Sequence, residues 1–137
     1  MPPARLTLPF PPSTNNLFAT IVRGRKVIRI PSERYKAWRK EAADHLRMQG
    51  PLPRFGGPVV LTLTFGKPDK RKRDVSNLVK AIEDLAVTHG IIVDDSLVQR
   101  VTAQWGDVVG CVVEIEAAGP AVQRAAEGPL FESSEAR

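Results

Sequence analysis

Between Val59 and Phe65 the chain alternates without a break. Val59, Leu61, Leu63 and Phe65 lie on one side, and Val60, Thr62 and Thr64 on the other. Successive side chains of an extended segment point to opposite faces, so this run predicts a strand with a strongly apolar face. Its neighbours follow a different rhythm. After Pro31-Ser32, residues Tyr35, Trp38, Ala42 and Leu46 recur at helical spacing, with Ser32 placed to accept a bond from an orphan backbone N–H. Gly50-Pro51 ends that segment. Downstream, Val75, Leu78, Val79, Ile82, Leu85 and Ala86 form a second helical stripe over 74–88. It is stopped by His89-Gly90, Gly90 being suited to the left-handed position after a helix. A chain that switches in this way between a two-residue and a 3.6-residue period folds as sheet against helix.

The remaining pattern is shorter. Arg5 to Phe10 predicts a strand stopped by Pro11-Pro12, Ser13 to Asn16 a polar loop, and Val27 to Ile30 a strand pairing back on the first. Val98 to Trp105 and Cys111 to Glu116 predict two antiparallel strands joined through the turn at 106–110. The order β-β-α-β-α-β-β defines an α+β fold, a small mixed sheet packed by two helices. A length of 137 residues fits one domain, and 42% hydrophobic content supplies its core. That domain is expected over residues 1–117. Residues 118–137, rich in Ala, Gly, Glu, Pro and Ser, are expected to be a disordered tail with Leu130-Phe131 as its apolar anchor.

Composition excludes several classes. Cys111 is the only cysteine, so no intrachain disulfide or Cys-based zinc site can form, and in an apolar run it reads as a buried inert thiol. No apolar run reaches the length needed to span a bilayer, and the first residues lack a secretory pattern, so a cytoplasmic protein with no membrane partner is expected. Phosphate-binding glycine loops and Ser/His/Asp arrangements are missing, and His45 and His89 read as structural. Aromatic content of 6% argues against a base-stacking platform.

Charge is unevenly spread. From Arg23 to Lys80 there are 16 Lys and Arg against 5 Asp and Glu, whereas the rest of the chain carries 4 against 10. Such a concentration suits an anionic polymer, and nucleic acid above all. The expected contacts are Lys67 and the run Lys70, Arg71, Lys72 and Arg73, with Asn15, Asn16, Arg23 and Arg25 from the N-terminal part.

The basic run leads directly into Asp74, the second helix carries Lys80, and the stretch closes on Asp94 and Asp95. Cations clamp a phosphate chain, and carboxylates at the ends of a helix and a strand can hold Mg2+ against it. Each piece has a plainer reading. Asp74 can be a helix N-cap, the Asp94-Asp95 pair can end a strand, and Lys80 can form an ordinary i,i+4 pair with Asp84. If Ile91 to Val93 is extended, Asp94 and Asp95 point oppositely and one of them faces the metal.

As a set, LPFPPSTNNLF, KPDKRKRDVSNLVKAIEDLA and GIIVDDSLVQR resemble the RusA family of Holliday junction resolvases, enzymes often carried by phages and prophages; the likeness runs from Leu6 to Trp105. The resemblance implies a homodimeric, RusA-like crossover junction endodeoxyribonuclease that binds branched, four-way DNA and makes paired symmetric nicks with Mg2+ (Mn2+ as an alternative). It implies catalytic roles for Asp74, Asp95 and Lys80, and metal binding by Asp74 and Asp95. At the family's middle acidic position this chain has Ser76, a neutral and weaker ligand, which could act through a metal-bound water or leave its place to Asp94. The alternatives are a DNA-binding module with a decayed metal site and a basic protein docking partners through Leu130-Phe131. For the dimer, either the open sheet or the first helix, through Tyr35 and Trp38, could supply the interface.

Overall fold

The computed structural model, which describes residues 2–120, lays down six strands and two α-helices. In chain order they are β1 (Ala4–Leu8), β2 (Phe18–Arg23), β3 (Lys26–Pro31), α1 (Glu33–Met48), β4 (Val59–Phe65), α2 (Val79–Thr88), β5 (Val98–Trp105) and β6 (Cys111–Ala117). β1, β6, β4 and β5 stand in that order in one mixed sheet, and β2 and β3 form a separate hairpin. The fold is α+β, as the pattern predicts. The expected tail lies largely outside the described residues.

Three details depart from expectation. β5 and β6 do not pair with each other, because β4 lies between them. β5 runs parallel to β4, with Leu61 opposite Val101, while β6 is antiparallel on its other side, with Leu63 opposite Val113. A helix between β4 and β5 returns the chain to the end where it started, which is what parallel pairing requires. The loop from β5 to β6 then passes over the end of β4, held by Gly106 N–H to Phe65 O and Gly66 N–H to Gly110 O, both at 2.9 Å. A Cβ at Gly66 would meet the Val108 carbonyl oxygen at 1.7 Å, so only glycine lets the loop cross there.

The second departure is in the hairpin. β3 pairs with Phe18–Arg23, a strand not predicted, and turns at Gly24 in the left-handed region (φ 62°). Third, the first turn of the second helix is a 3-10 turn, Val75–Leu78. Ser76 and Asn77 follow Asp74 there, side chains that offer the backbone alternatives to a regular helix.

The apolar stripes meet in one core. Tyr35, Trp38, Ala42 and Leu46 of α1 and Ala81, Ile82, Leu85 and Ala86 of α2 pack with the inner residues of β1, β4 and β6. Tyr35 and Trp38 are 3% and 5% exposed. They belong to the core, so these two side chains are not available to cover a partner copy. Cys111 is fully buried, and burial pushes its thiol up to about 12, so it stays protonated. Gln49 Oε1 accepts from Thr7 N–H at 2.7 Å while its Nε2 donates to Thr7 O at 2.8 Å, covering part of the β1 edge.

Candidate active site

α1 and α2 set the site. Ser32 caps α1, its Oγ accepting from Tyr35 N–H at 3.0 Å and donating to Asn16 O at 2.6 Å. This ties the polar loop to the helix start. At the far end of α2, Gly90 (φ 72°) turns the chain, and Arg54 Nη1 donates to the carbonyls of His89 and Gly90, each at 3.1 Å. Ile91 and Ile92 are buried, and the only pairing of the segment is a single bridge between Ile92 and Phe55. Val93 is exposed, so the chain surfaces immediately before Asp94.

The two carboxylates do not point apart. Asp95 begins a short 3-10 turn, Asp95–Leu97, which takes the pair out of a continuous extended run. Ser96 Oγ donates to Asp94 Oδ2 at 2.8 Å and is the main cause holding Asp94 below the usual carboxylate range. Both acids line one hollow of about 310 Å³, together with Phe18, Tyr35, Arg39 and Asp84.

Lys80 stands beside this hollow. Its Nζ is 3.1 Å from Asp84 Oδ1, the ordinary i,i+4 pair foreseen as the plainer reading. Asp84 is also the main cause that raises the Lys80 pKa, and Asp95 and Glu83 add to it. Glu83 is raised in turn, first by burial and then by the Asp95 charge. Lys80 is therefore a firmly protonated ammonium in the field of Asp95. Glu83 and Arg39 were missed by the sequence reading. Helical spacing from Lys80 and Tyr35 was the available signal, since Glu83 is three residues past the lysine and Arg39 four past the tyrosine, its guanidinium 4.6 Å from the ring centroid.

Asp74 is exposed and caps the 3-10 turn. Its Oδ1 accepts from Ser76 N–H at 3.3 Å and from Ser76 Oγ at 2.9 Å. The serine at the expected metal position thus spends its hydroxyl proton on Asp74. Among the described residues, no three His, Cys, Asp or Glu side chains converge closely enough to cage a metal ion. Asp94 and Asp95 line one hollow, and Asp74 is not among the residues that line it. A pair of carboxylates suits a hydrated Mg2+, which takes one or two of them, keeps several waters and relies on substrate phosphate for the rest; a cage built wholly of protein does not form among the described residues.

The expected nucleic-acid contacts fall into three groups. Arg23 and Arg25 flank Gly24 at the exposed hairpin tip. Lys67, Lys70 and Lys72 are exposed, Lys67 with its ammonium 5.4 Å from the Trp105 ring centroid. Arg71 and Arg73 converge on Asp69, at 3.1 and 2.8 Å. Asn15 is exposed in the 3-10 turn Thr14–Asn16, and Asn16 Nδ2 donates to Ser13 Oγ at 3.1 Å.

In this small α+β domain the basic loop leads into α2, and the paired carboxylates follow it in the chain. The description that matches this chain is Endodeoxyribonuclease RusA, over residues 9–116, and the chain belongs to that family of DNA-cutting enzymes. The family acts on branched DNA junctions. Among curated proteins, none matches the chain. No helix among the described residues is long and apolar enough to cross a membrane.

Proposed function

We propose that this protein is a Mg2+-dependent endonuclease that resolves four-way DNA junctions by paired symmetric nicks, acting as a homodimer in the cytoplasm. The observation that carries the reading is the family match over residues 9–116, with Lys80 Nζ 3.1 Å from Asp84 Oδ1, one of the residues lining the acidic hollow. A fixed cation there offsets charge gathering on a phosphodiester as its oxygen leaves. Asp95 and Asp94, exposed and close together, and Asp74 would hold the ion, with Ser76 as a neutral oxygen beside Asp74. A bound Mg2+ would supply Lewis-acid charge and a water of lowered pKa. Lys67, Lys70 and Lys72 are exposed cations that would contact phosphates, and phosphate contacts fix position without reading sequence.

The test is cleavage of labelled four-way junctions with the metal varied. Asp74→Asn and Asp95→Asn should abolish nicking while leaving junction binding in place. Undiminished nicking by both variants would overturn the assignment.

One observation favours a second reading, a junction-binding module without catalysis: Ser76 replaces a carboxylate and no three-acid cluster forms among the described residues. Titration calorimetry with Mg2+ and Mn2+ separates the two. Absence of metal binding in the millimolar range, with junction affinity intact, would favour the module.

A further inference from the structure

Tyr35 belongs to two places at once. Its ring is part of the core, yet it also lines the hollow of about 310 Å³ that holds Asp94 and Asp95. The residue is 3% exposed, and among the described residues its hydroxyl makes no hydrogen bond. A buried hydroxyl without a protein partner costs stability, so one kept in the fold and turned to a hollow calls for a reason.

The ring is held in place without help from that hydroxyl. Phe18 meets it edge-on with centroids 5.8 Å apart, Trp38 stacks on it at 6.3 Å, and the Arg39 guanidinium lies 4.6 Å from its centroid. Its backbone is tied down as well, the Tyr35 N–H donating to Ser32 Oγ at 3.0 Å. A side chain enclosed in this way has little freedom left to lose, so its hydroxyl is in position before any ligand arrives.

The elements around the hollow contribute opposite chemistry. α1 brings Tyr35 and Arg39, α2 brings Asp84, and the turn after α2 brings Asp94 and Asp95. Asp84 is engaged with Lys80 at 3.1 Å, whereas Arg39 enters no ion pair among the described residues. Burial first and the Asp84 charge second raise the Tyr35 pKa, against the pull of Arg39 and Lys80, so the group stays a phenol and a donor. The α1 side thus offers donors and the α2 side carboxylates. A phosphodiester cut between them has non-bridging oxygens that share its negative charge in the transition state, and a fixed O–H donor suits such an oxygen.

We propose that Tyr35 is a further catalytic residue of the acidic centre, its buried hydroxyl donating a hydrogen bond to a non-bridging oxygen of the phosphodiester being cut. The role rests on the nuclease reading and adds to it a contact that works on the rate of cutting rather than on the grip on DNA. Arg39, packed on the ring, acts as a positioning residue for that hydroxyl. The fold gives up a hydrogen bond at Tyr35 and keeps the donor for the substrate.

Tyr35→Phe removes the hydroxyl and keeps the ring, so it separates the two places Tyr35 occupies. In single-turnover cleavage of a four-way junction with Mg2+, it should cut about 10–100-fold more slowly than wild type, while binding the junction in EDTA with wild-type affinity. Sulfur accepts hydrogen bonds weakly, so a phosphorothioate at the cut position reports the contact itself. For one of its diastereomers the gap in rate between wild type and Tyr35→Phe should narrow. Thermal unfolding without DNA gives a readout independent of turnover: Tyr35→Phe should melt no lower than wild type, because the hydroxyl has no partner in the fold to lose. A wild-type cleavage rate in Tyr35→Phe, an equal gap for the oxygen junction and both diastereomers, a matching loss of affinity in EDTA, or a lowered melting temperature would overturn the proposal. In each of these cases the nuclease reading stands as long as the wild-type protein nicks the junction. A wild-type protein that nicks no junction at any Mg2+ concentration would overturn both.

Discussion

Lys80 carries the sharpest expectation at the scale of single residues, because Asp84, 3.1 Å away, holds its ammonium beside the acidic hollow. Lys80→Met should lower single-turnover cleavage by about 10²–10³-fold, with junction affinity in EDTA close to wild type. Loss of binding in parallel with cleavage would make it an ordinary phosphate contact. Ser76→Asp should lower the Mg2+ concentration at half-maximal cleavage, since it adds a carboxylate beside Asp74. An unchanged metal midpoint would place the ion away from the Asp74 turn. Glu83 gives a pH signature. Its folded pKa is raised, by burial first and then by Asp95, so the folded state holds that proton more tightly than the unfolded chain does. Stability is therefore lost as pH rises from the unfolded pKa through the folded one, and the loss is complete above it. Glu83→Gln should melt higher than wild type at pH 7, and the gap should close on acidification; a gap that widens at low pH would contradict the assignment. The residues of the acidic centre were legible where charge stood beside a helix end. Arg39 and Glu83 were hidden, because a charged residue on a helix looks the same from sequence whether its face lines a hollow or meets solvent.

Among the elements, the strongly patterned ones were read correctly and the hairpin was not, for a physical reason. In β4 one face enters the core, so a two-residue period is written into Val59 to Phe65. In β2 no residue is fully buried and Val22 is 71% exposed, so no alternation is imposed and none can be read. The β5–β6 error has another origin. Local pattern says that a segment is extended, but partner choice is made by the crossover helix and by the loop over Gly66. Gly66→Ala should consequently be among the most damaging single-methyl changes in the chain, expected to cost more than the ~1 kcal/mol typical of point mutations in urea unfolding. A wild-type midpoint would mean the loop can lift off β4 freely. The α1 cap offers a milder case: Ser32→Ala should cost about 1 kcal/mol by loss of the bond to Tyr35 N–H, more if the bond to Asn16 O contributes.

For the molecule as a whole, cutting two symmetry-related strands of a junction calls for two equivalent sites, which a twofold dimer provides. With Tyr35 and Trp38 committed to the core, the sheet face bearing the half-buried Thr62 and Thr64 is the surface proposed for a partner copy. Sedimentation at micromolar concentration should give twice the 15.0 kDa chain mass, with or without junction. A monomer that stays monomeric on the junction would defeat paired nicking by this protein. The strand order has a consequence for how the protein comes into being. β6 occupies the interior of the sheet, yet it is the last of the described strands to leave the ribosome, and among them β1 pairs with β6 alone, Leu8 opposite Cys111. At a synthesis rate of about 5–20 residues per second, Leu6 and Leu8 wait roughly 5–20 s with no strand to pair with. Nascent chains stalled before Cys111 should remain open to protease along their first strand. A message cut short at that point would then yield no weakened nuclease, but an unpaired apolar segment for chaperones to hold.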